Sequence, residues 1–314
     1  MAINIYTKRT ADAEYTQLDK VGENAWIDAV APNDDELKEI AEALDIDVDL
    51  LKDSLDEDEM PRVDIEDNGA VNIIMRVPYR ERGETLEQIS TLPLGVIVNN
   101  SIIATICLKK TLTTGDFLNK KVKKFSTGKR GRFLLQIMER ATYNYLKHLI
   151  ILDKKVEEIE NTLKASLKNE DIMRMMDIQK TLVYFNNGAI ANQKVLERVM
   201  RGGVVQVFEE DKELLEDIII DNKQALAMIA VSSNILSNTM SSYSSIISNN
   251  LGSIMKVLTL ITIVLMIPTL VASIYGMNID LPMQEHEIAF YITIGIAFGL
   301  SLVTAGIFWR LKWF

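Results

Sequence analysis

Val257-Leu-Thr-Leu-Ile-Thr-Ile-Val-Leu-Met-Ile-Pro-Thr-Leu-Val-Ala-Ser-Ile-Tyr275 runs directly into Gly276-Met277-Asn278. The run to Tyr275 carries no charge. As a helix it extends ~28 Å, close to the hydrocarbon thickness of a bilayer. A second uncharged run, Ile288 to Trp309, is also long enough to cross. Between the two lies Gly276–Glu287, with Asp280, Glu285 and Glu287 and no Lys or Arg. Lys256 precedes the first run, Arg310 and Lys312 follow the second, and Trp309 and Trp313 sit at interface depth. Cytoplasmic loops collect Lys and Arg, so this distribution predicts both termini in the cytoplasm and the acidic loop outside. The polar start, Met1 to Thr10, offers no signal peptide and agrees with a cytoplasmic N-terminal part.

The first run is more than an anchor. At heptad spacing one row reads Gly252, Thr259, Met266, Ser273 and the other Met255, Thr262, Thr269, Gly276. Every Ser and Thr of the span falls on these two rows, which share a face; Leu258, Ile261, Val264, Leu265, Leu270 and Ile274 occupy the others. Ser and Thr in membrane helices also bond their own backbone carbonyls. A continuous stripe aligned with a long preceding helix favours a pore-lining helix. Two spans per chain cannot enclose a pore, so several copies must ring an axis, striped helix inside and the plainly apolar second span towards lipid.

Upstream, a helical period runs without Pro or Gly from near Val205 to Gly252: Leu214, Ile218, Ala225, Ile229, Leu236, Met240, Tyr243, Ile247, Leu251. A helix of that length requires partners along it, which predicts a stalk or an oligomer. Ser232 to Asn250 is rich in Ser and Asn yet keeps the apolar period, so it reads as helix rather than linker. Before it, Leu135, Met138, Ala141, Tyr145, His148, Leu149, Leu152, Val156, Ile159 and Leu163 mark another long helix. Asn169-Glu-Asp171 marks a turn, a further helix reaches about Met200, and Gly202-Gly203 ends it. His148, on the apolar stripe, reads as a packed core residue.

The N-terminal part, from Met1 to about Lys110, mixes short strands and helices. Ile3–Tyr6 and Ala25–Val30 read as strands. Asn33-Asp-Asp-Glu36 starts a helix with Leu37, Ile40, Ala41 and Leu44 behind it, and Leu50–Leu55 suggests another. Arg62–Glu66 and Val71–Val77 flank the turn Asp67-Asn68-Gly69; Leu94–Val98 and Ile102–Leu108 flank Asn99-Asn100. The result is an α+β domain with a largely antiparallel sheet. The segmentation is 1–130 for this cytoplasmic domain, 131–250 for a long-helix stalk and 251–314 for a membrane domain with spans at about 254–276 and 288–309.

Composition narrows the chemistry. Forty-four acids against 34 bases give a formal charge of −10, which opposes a nucleic-acid backbone and favours cationic partners. Residues 11–60 hold 18 acids and 3 bases, either a solvated face or a cation-attracting one. The basic run Lys120, Lys121, Lys123, Lys124, Lys129, Arg130 and Arg132 lacks interleaved aromatics and reads as a solvated connector. The one cysteine, Cys107, lies in an apolar segment and allows no disulfide within a chain. No glycine-rich phosphate loop, nucleophile elbow or His/Cys ligand cluster is present, so neither an enzyme nor an organic cofactor is expected. A purely structural coiled-coil anchor accounts poorly for the polar stripe.

Tyr275-Gly276-Met277-Asn278 closes the first span at its outer end. With Met255-Lys-Val-Leu-Thr259, Pro268 and the terminal Arg310-Leu-Lys-Trp-Phe314, it resembles the CorA family of magnesium channels, as does the order of α/β domain, long helices and paired C-terminal spans. The resemblance implies a funnel-shaped homopentamer in the inner cell membrane. It implies that Gly276, Met277 and Asn278 form an outer selectivity ring and that Met255, Leu258, Thr259, Thr262, Met266, Thr269 and Ser273 line or gate the pore. Mg2+ demands octahedral oxygen geometry and sheds water reluctantly, and neutral oxygens can hold it hydrated. Leu258 and Met266 would form apolar constrictions. The family often has Asn at the inner mouth; here Gly252 stands there, after Asn249 and Asn250.

The resemblance also implies regulatory Mg2+ between subunits, held by an aspartate that falls on Asp217. Glu213, Asp217 and Asp221 are spaced four apart on one helix face. The acid expected opposite is unsettled: Arg80 occupies the convenient place, with Glu81 and Glu84 nearby. Co2+, Ni2+ or Zn2+ remains an alternative cargo. The pore stripe has no Cys or His, and His286 lies in the outer loop, which disfavours a zinc specialist.

Overall fold

The computed structural model describes residues 3–8, 10, 14–80, 88–99, 101–122, 124–165, 169–278 and 288–311. They form two compact units, Met1–Asn238 and Thr239–Phe314.

The first unit is built on a seven-stranded sheet: β1 Ile3–Thr7, β2 Thr16–Leu18, β3 Ala25–Val30, β4 Arg62–Ile65, β5 Val71–Tyr79, β6 Ser90–Val98 and β7 Ile103–Cys107. The order is β2-β1-β3-β7-β6-β5-β4. Every pairing is antiparallel except β3 with β7. Both expected hairpins form. The β4–β5 turn places Gly69 at φ 81°, where a side chain would be strained.

Central strands β5, β6 and β7 are apolar almost throughout because both their faces are covered. On one face α1 Asp34–Leu44 and α2 Val48–Lys52 bury Leu37, Ile40, Leu44 and Leu51 against Ile27, Ile97 and Ile106. Asn33 caps α1 from its side chain while Glu36 bonds back to the Asn33 amide, a full capping box. On the other face α3 Leu112–Leu118, α4 Arg130–Ala165, α5 Asn169–Met200 and the start of α6 Glu209–Tyr275 enclose a larger core. Trp26, Phe117, Phe125 and Phe133 pack at centroid distances of 5.2–6.5 Å at its centre, edge to face except for stacked Phe125 and Phe133. Cys107 and His148 are buried there or nearby; His148 Nδ1 meets Asn144 O at 2.7 Å, and burial holds its pKa below the usual value.

Three details differ from the sequence reading. Strand β2 and helix α3 go unannounced: β2 has three residues and α3 contains Thr113-Thr114-Gly115, all poor helix formers. Helix α6 starts at Glu209, not near Val205. Gly202 and Gly203 sit at φ 82° and 75°, Val204 is buried, and the acidic turn Glu209-Glu210-Asp211 then suits a helix N-terminus. Asn169–Asp171, expected as a turn, is already the first turn of α5.

The basic run is also more than a solvated connector. Lys121 and Arg140 each approach buried Asp116 at 2.7 Å. Arg132 meets buried Asp211 at 2.6 Å and Lys129 meets Glu210 at 3.3 Å. These bases neutralise acids brought in by α3 and by the first turn of α6, which explains a cluster that looked unpaired along the chain.

The second unit holds the remainder of α6 and α7 Ala289–Arg310. Both helices are long and apolar enough to cross a membrane, and little of either apolar stretch is buried within the chain.

Candidate functional site

In the second unit, α7 covers one side of α6. The covered residues are Leu260, Ile263, Val264, Ile267, Pro268, Val271 and Tyr275, all buried or half-buried. Their counterparts on α7 are Ile292, Thr293, Ala297, Ser301, Thr304, Ala305 and Phe308. At ~100° per residue, the rows Met255, Thr259, Thr262, Met266, Thr269 and Ser273 point roughly 115–180° away from the centre of the covered face. The polar stripe therefore stands on the side of α6 opposite α7, exposed along its length, as are Gly252, Asn249 and Asn250 before it and Leu258 at its edge. Ile261, Leu265, Leu270 and Ile274 flank it and are exposed too.

The threonine hydroxyls on this stripe are engaged locally. Thr259 donates to Met255 O at 2.8 Å, Thr262 to Leu258 O at 2.8 Å and Thr269 to Leu265 O at 3.2 Å. Each donor is thereby committed to its own helix, and only oxygen lone pairs face outward. A row of pure acceptors suits a species whose outer surface is made of donors, such as a metal ion within its water shell. The bland and the functional readings of these threonines coexist: the backbone bond is what turns the hydroxyl into an outward acceptor.

The stripe ends at Gly276, whose N–H bonds Ala272 O at 3.0 Å; the Met277 N–H bonds Ile274 O at 3.2 Å. A β-carbon on Gly276 would stand 3.3 Å from Ala272 O and 3.6 Å from Ser273 O, crowding the last helical carbonyls. Met277 and Asn278 follow, both exposed. The C-terminal end of α6 thus presents carbonyls, the negative pole of the helix and an exposed amide in one place, an environment favourable to cations. Asp280, Glu285, His286 and Glu287 of the acidic loop, and Lys312 and Trp313, lie outside the described residues.

The acids singled out on the first unit's part of α6 are outward-facing: Glu213 and Asp217 are exposed and Asp221 half-buried. Sequence reasoning missed a fourth, Glu139 of α4. Burial raises its pKa, and the charges of Asp221 and Asp217 add to this while Arg140 and Arg132 oppose it. Glu139 sits between Met138 and Arg140 and gave no sign along the chain of the charges it would face across α6. Among the described residues, no three His, Cys, Asp or Glu side chains converge to hold a metal ion. Arg80 is exposed, and Glu81 and Glu84 lie outside the described residues.

The fold and the stripe define a class: a protein with an N-terminal α/β unit and two C-terminal candidate spans, one of them polar along a single face. Residues 22–312 match the family described as CorA-like Mg2+ transporter protein, and the chain belongs to that family. It is 31% identical over 293 residues to the cobalt/magnesium transport protein CorA of Methanocaldococcus jannaschii, spanning 92% of this chain and 90% of that one. It is 25% identical over 255 residues to the magnesium transport protein CorA of Helicobacter pylori (strain 26695), 79% of this chain and 77% of that one. The solved complete structure of the M. jannaschii CorA magnesium transporter superposes with a TM-score of 0.85 at 28% identity, covering 100% of this chain and 99% of the other.

Proposed function

We propose that the chain is one subunit of a homopentameric channel that passes hydrated Mg2+ passively across the cell membrane, both termini in the cytoplasm. The observation that carries this reading is the row of outward threonine acceptors on the face of α6 turned away from α7, on a stripe ending at Gly276-Met277-Asn278. One chain leaves that face uncovered, and copies around an axis would bring five such faces together. Met255, Thr259, Thr262, Met266, Thr269 and Ser273 line the path, Leu258 and Met266 narrow it, and the inner polar ring comes from Gly252, Asn249 or Asn250. Asn278 presents a neutral oxygen where the ion enters. Neutral acceptors hold the water shell of Mg2+ without stripping it, whereas a carboxylate ring would release the ion slowly. Asn278→Ala is expected to nearly abolish Mg2+ flux into liposomes while assembly, measured by mass, is unchanged; wild-type flux in the assembled mutant overturns the filter assignment.

The word cobalt in the name of the archaeal relative favours Co2+ as the second cargo. Ni2+ and Zn2+ follow, and flux measured with each ion in turn ranks them.

Intracellular Mg2+ gates this pore through Asp217, with Glu213 and Asp221 on the same face. Among the described residues the carboxylates have no complete ligand set within one chain, so the ion is completed by groups of a neighbouring copy and holds the closed state by its preference for it. Asp217→Ala channels are expected to conduct yet need more internal Mg2+ to close. An unchanged inhibition curve moves the regulatory site elsewhere on the cytoplasmic unit.

A further inference from the structure

Pro268 lies inside α6 and has no N–H to give the carbonyl four residues earlier, Val264 O. In a hydrocarbon environment such a carbonyl requires another donor. The side chain of Ser301, on α7, supplies one: its hydroxyl lies 3.2 Å from Val264 O and 2.9 Å from Ala297 O, the carbonyl one turn back on its own helix. Ser301 is 7% exposed and Val264 and Pro268 are half-buried, so all three sit within the α6–α7 seam. A hydroxyl has one proton. Here it is shared between a carbonyl with its own helical partner and one that the proline has left without.

We propose that Ser301 is a positioning residue that completes the backbone hydrogen bonding of the proline break and so fixes α7 onto the striped helix at that level. Sharing makes the contact reversible. If α6 moves at Pro268, the Ser301 proton returns wholly to Ala297 O and Val264 O is left without a donor. Closing the seam therefore gains a hydrogen bond that opening it loses, and the stripe on the far side of α6 is held in register by a group that never faces the ion. This last consequence rests on the reading of α6 as the pore helix; the hydrogen bond itself does not.

The test is a double-mutant cycle in the full-length protein reconstituted in lipid: wild type, Ser301→Ala, Pro268→Ala and both together. Pro268→Ala restores the missing N–H, so Val264 O closes its bond within α6 and Ser301 becomes dispensable. Ser301→Ala alone is expected to lower the Tm by several degrees and shift the balance between closed and conducting states about tenfold, the effect of ~1.4 kcal/mol for one orphaned carbonyl. In the Pro268→Ala background the same substitution should move neither measurement appreciably, and Ser301→Thr, which keeps the hydroxyl, should resemble wild type in both. Equal Tm losses in the two backgrounds would reduce Ser301 to simple packing and overturn the proposal. A non-additive Tm with unchanged Mg2+ flux would keep the seam bond and overturn its bearing on conduction. If wild type conducted no ion at all, the channel reading would fail while the Tm cycle still judged the bond.

Discussion

Thr105 and Thr262 are the same side chain in two different regions, and they are used in opposite ways. Thr105, fully buried in the sheet, accepts from Trp26 Nε1 and donates to the Asp28 carboxylate, both at 2.9 Å, tying β3 to β7. Thr262 bonds only its own helix and faces outward. The contrast holds across the two units. In Met1–Asn238, polar groups bridge elements far apart in sequence: Asn192 to Arg76, Ser232 to Asp153, Arg132 to Asp211. In Thr239–Phe314, Ser244, Ser245, Ser248, Ser253 and the threonines of α6 bond the carbonyl one turn back. The first unit uses its polar chemistry to hold itself together. The second ties these Ser and Thr donors down and leaves their lone pairs exposed, the arrangement expected where the surface serves something other than this chain's own packing.

The largest effect that sharpens this contrast is at Asp116. It is buried, and its bonds to Lys121 and Arg140 hold its carboxyl below the usual range despite burial pushing the other way. Asp116→Ala leaves the mostly buried Arg140 guanidinium without its partner. A loss of about 3–5 kcal/mol in the unfolding of the first unit is expected, towards the lower end because Lys121 is half exposed. Since the folded pKa is depressed, the wild-type contribution is present above the ordinary carboxylate pKa and disappears as pH falls through the folded value. Urea titrations from pH 7 to 3 check both, and an unaffected mutant would break the claim that the basic run anchors this unit.

Asp28 runs the opposite way. Burial raises its pKa to about 6, more than the Thr105 hydrogen bond and the Lys110 charge lower it. A raised carboxyl costs stability as it ionises: its contribution is complete below the unfolded pKa near 3.9 and is lost as pH rises through about 6. Asp28→Asn keeps an acceptor for Thr105 without the charge. It should therefore be more stable than wild type by about 2–3 kcal/mol at pH 7.5, with the gap closing between pH 6 and 4. A pH-independent difference in Tm would place the ionisation elsewhere.

Much of the first unit was legible because its signals are local. Asp67-Asn68-Gly69 dictates a hairpin, Asn33 with Glu36 dictates a helix start, and the period from Leu135 to Ile159 dictates a helix wherever it packs. The missed pieces depend on neighbours brought from far along the chain. Strand β2 exists because β1 pairs with it. Arg132 and Lys129 meet Asp211 and Glu210 only after α6 folds back, about 80 residues along the chain. Glu139 on α4 is perturbed by Asp221 and Asp217 on α6, with the whole of α5 between them in sequence. In the second unit the stripe was readable from heptad spacing alone, and Pro268 stood out as part of a motif. The donor that answers its missing N–H sits on another helix, at Ser301, and no one-dimensional pattern announces it.

The smallest effect on stability is the one that tests the contrast most directly. Thr→Val keeps shape and removes the hydroxyl. At Thr105 it leaves the Trp26 N–H and the Asp28 carboxylate without their shared partner in a fully buried site, and a loss of about 1–3 kcal/mol is expected. At Thr262 it removes an exposed hydroxyl whose bond duplicates a carbonyl already served by the helix, and the change in stability should stay within about 0.5 kcal/mol. Function should order the two the other way. Thr105 belongs to the sheet of the first unit and not to the stripe, so Thr105→Val in protein that has folded should conduct as wild type. Thr262→Val replaces an outward acceptor by a methyl group midway along the proposed path, where a hydrated ion then loses one of its polar contacts, and Mg2+ flux should fall severalfold with assembly intact. Thermal unfolding and liposome flux on the same two preparations decide the matter. A stability loss at Thr262 comparable to that at Thr105 would mean that its hydroxyl is structural, and unaltered flux would mean that the stripe does not face the ion.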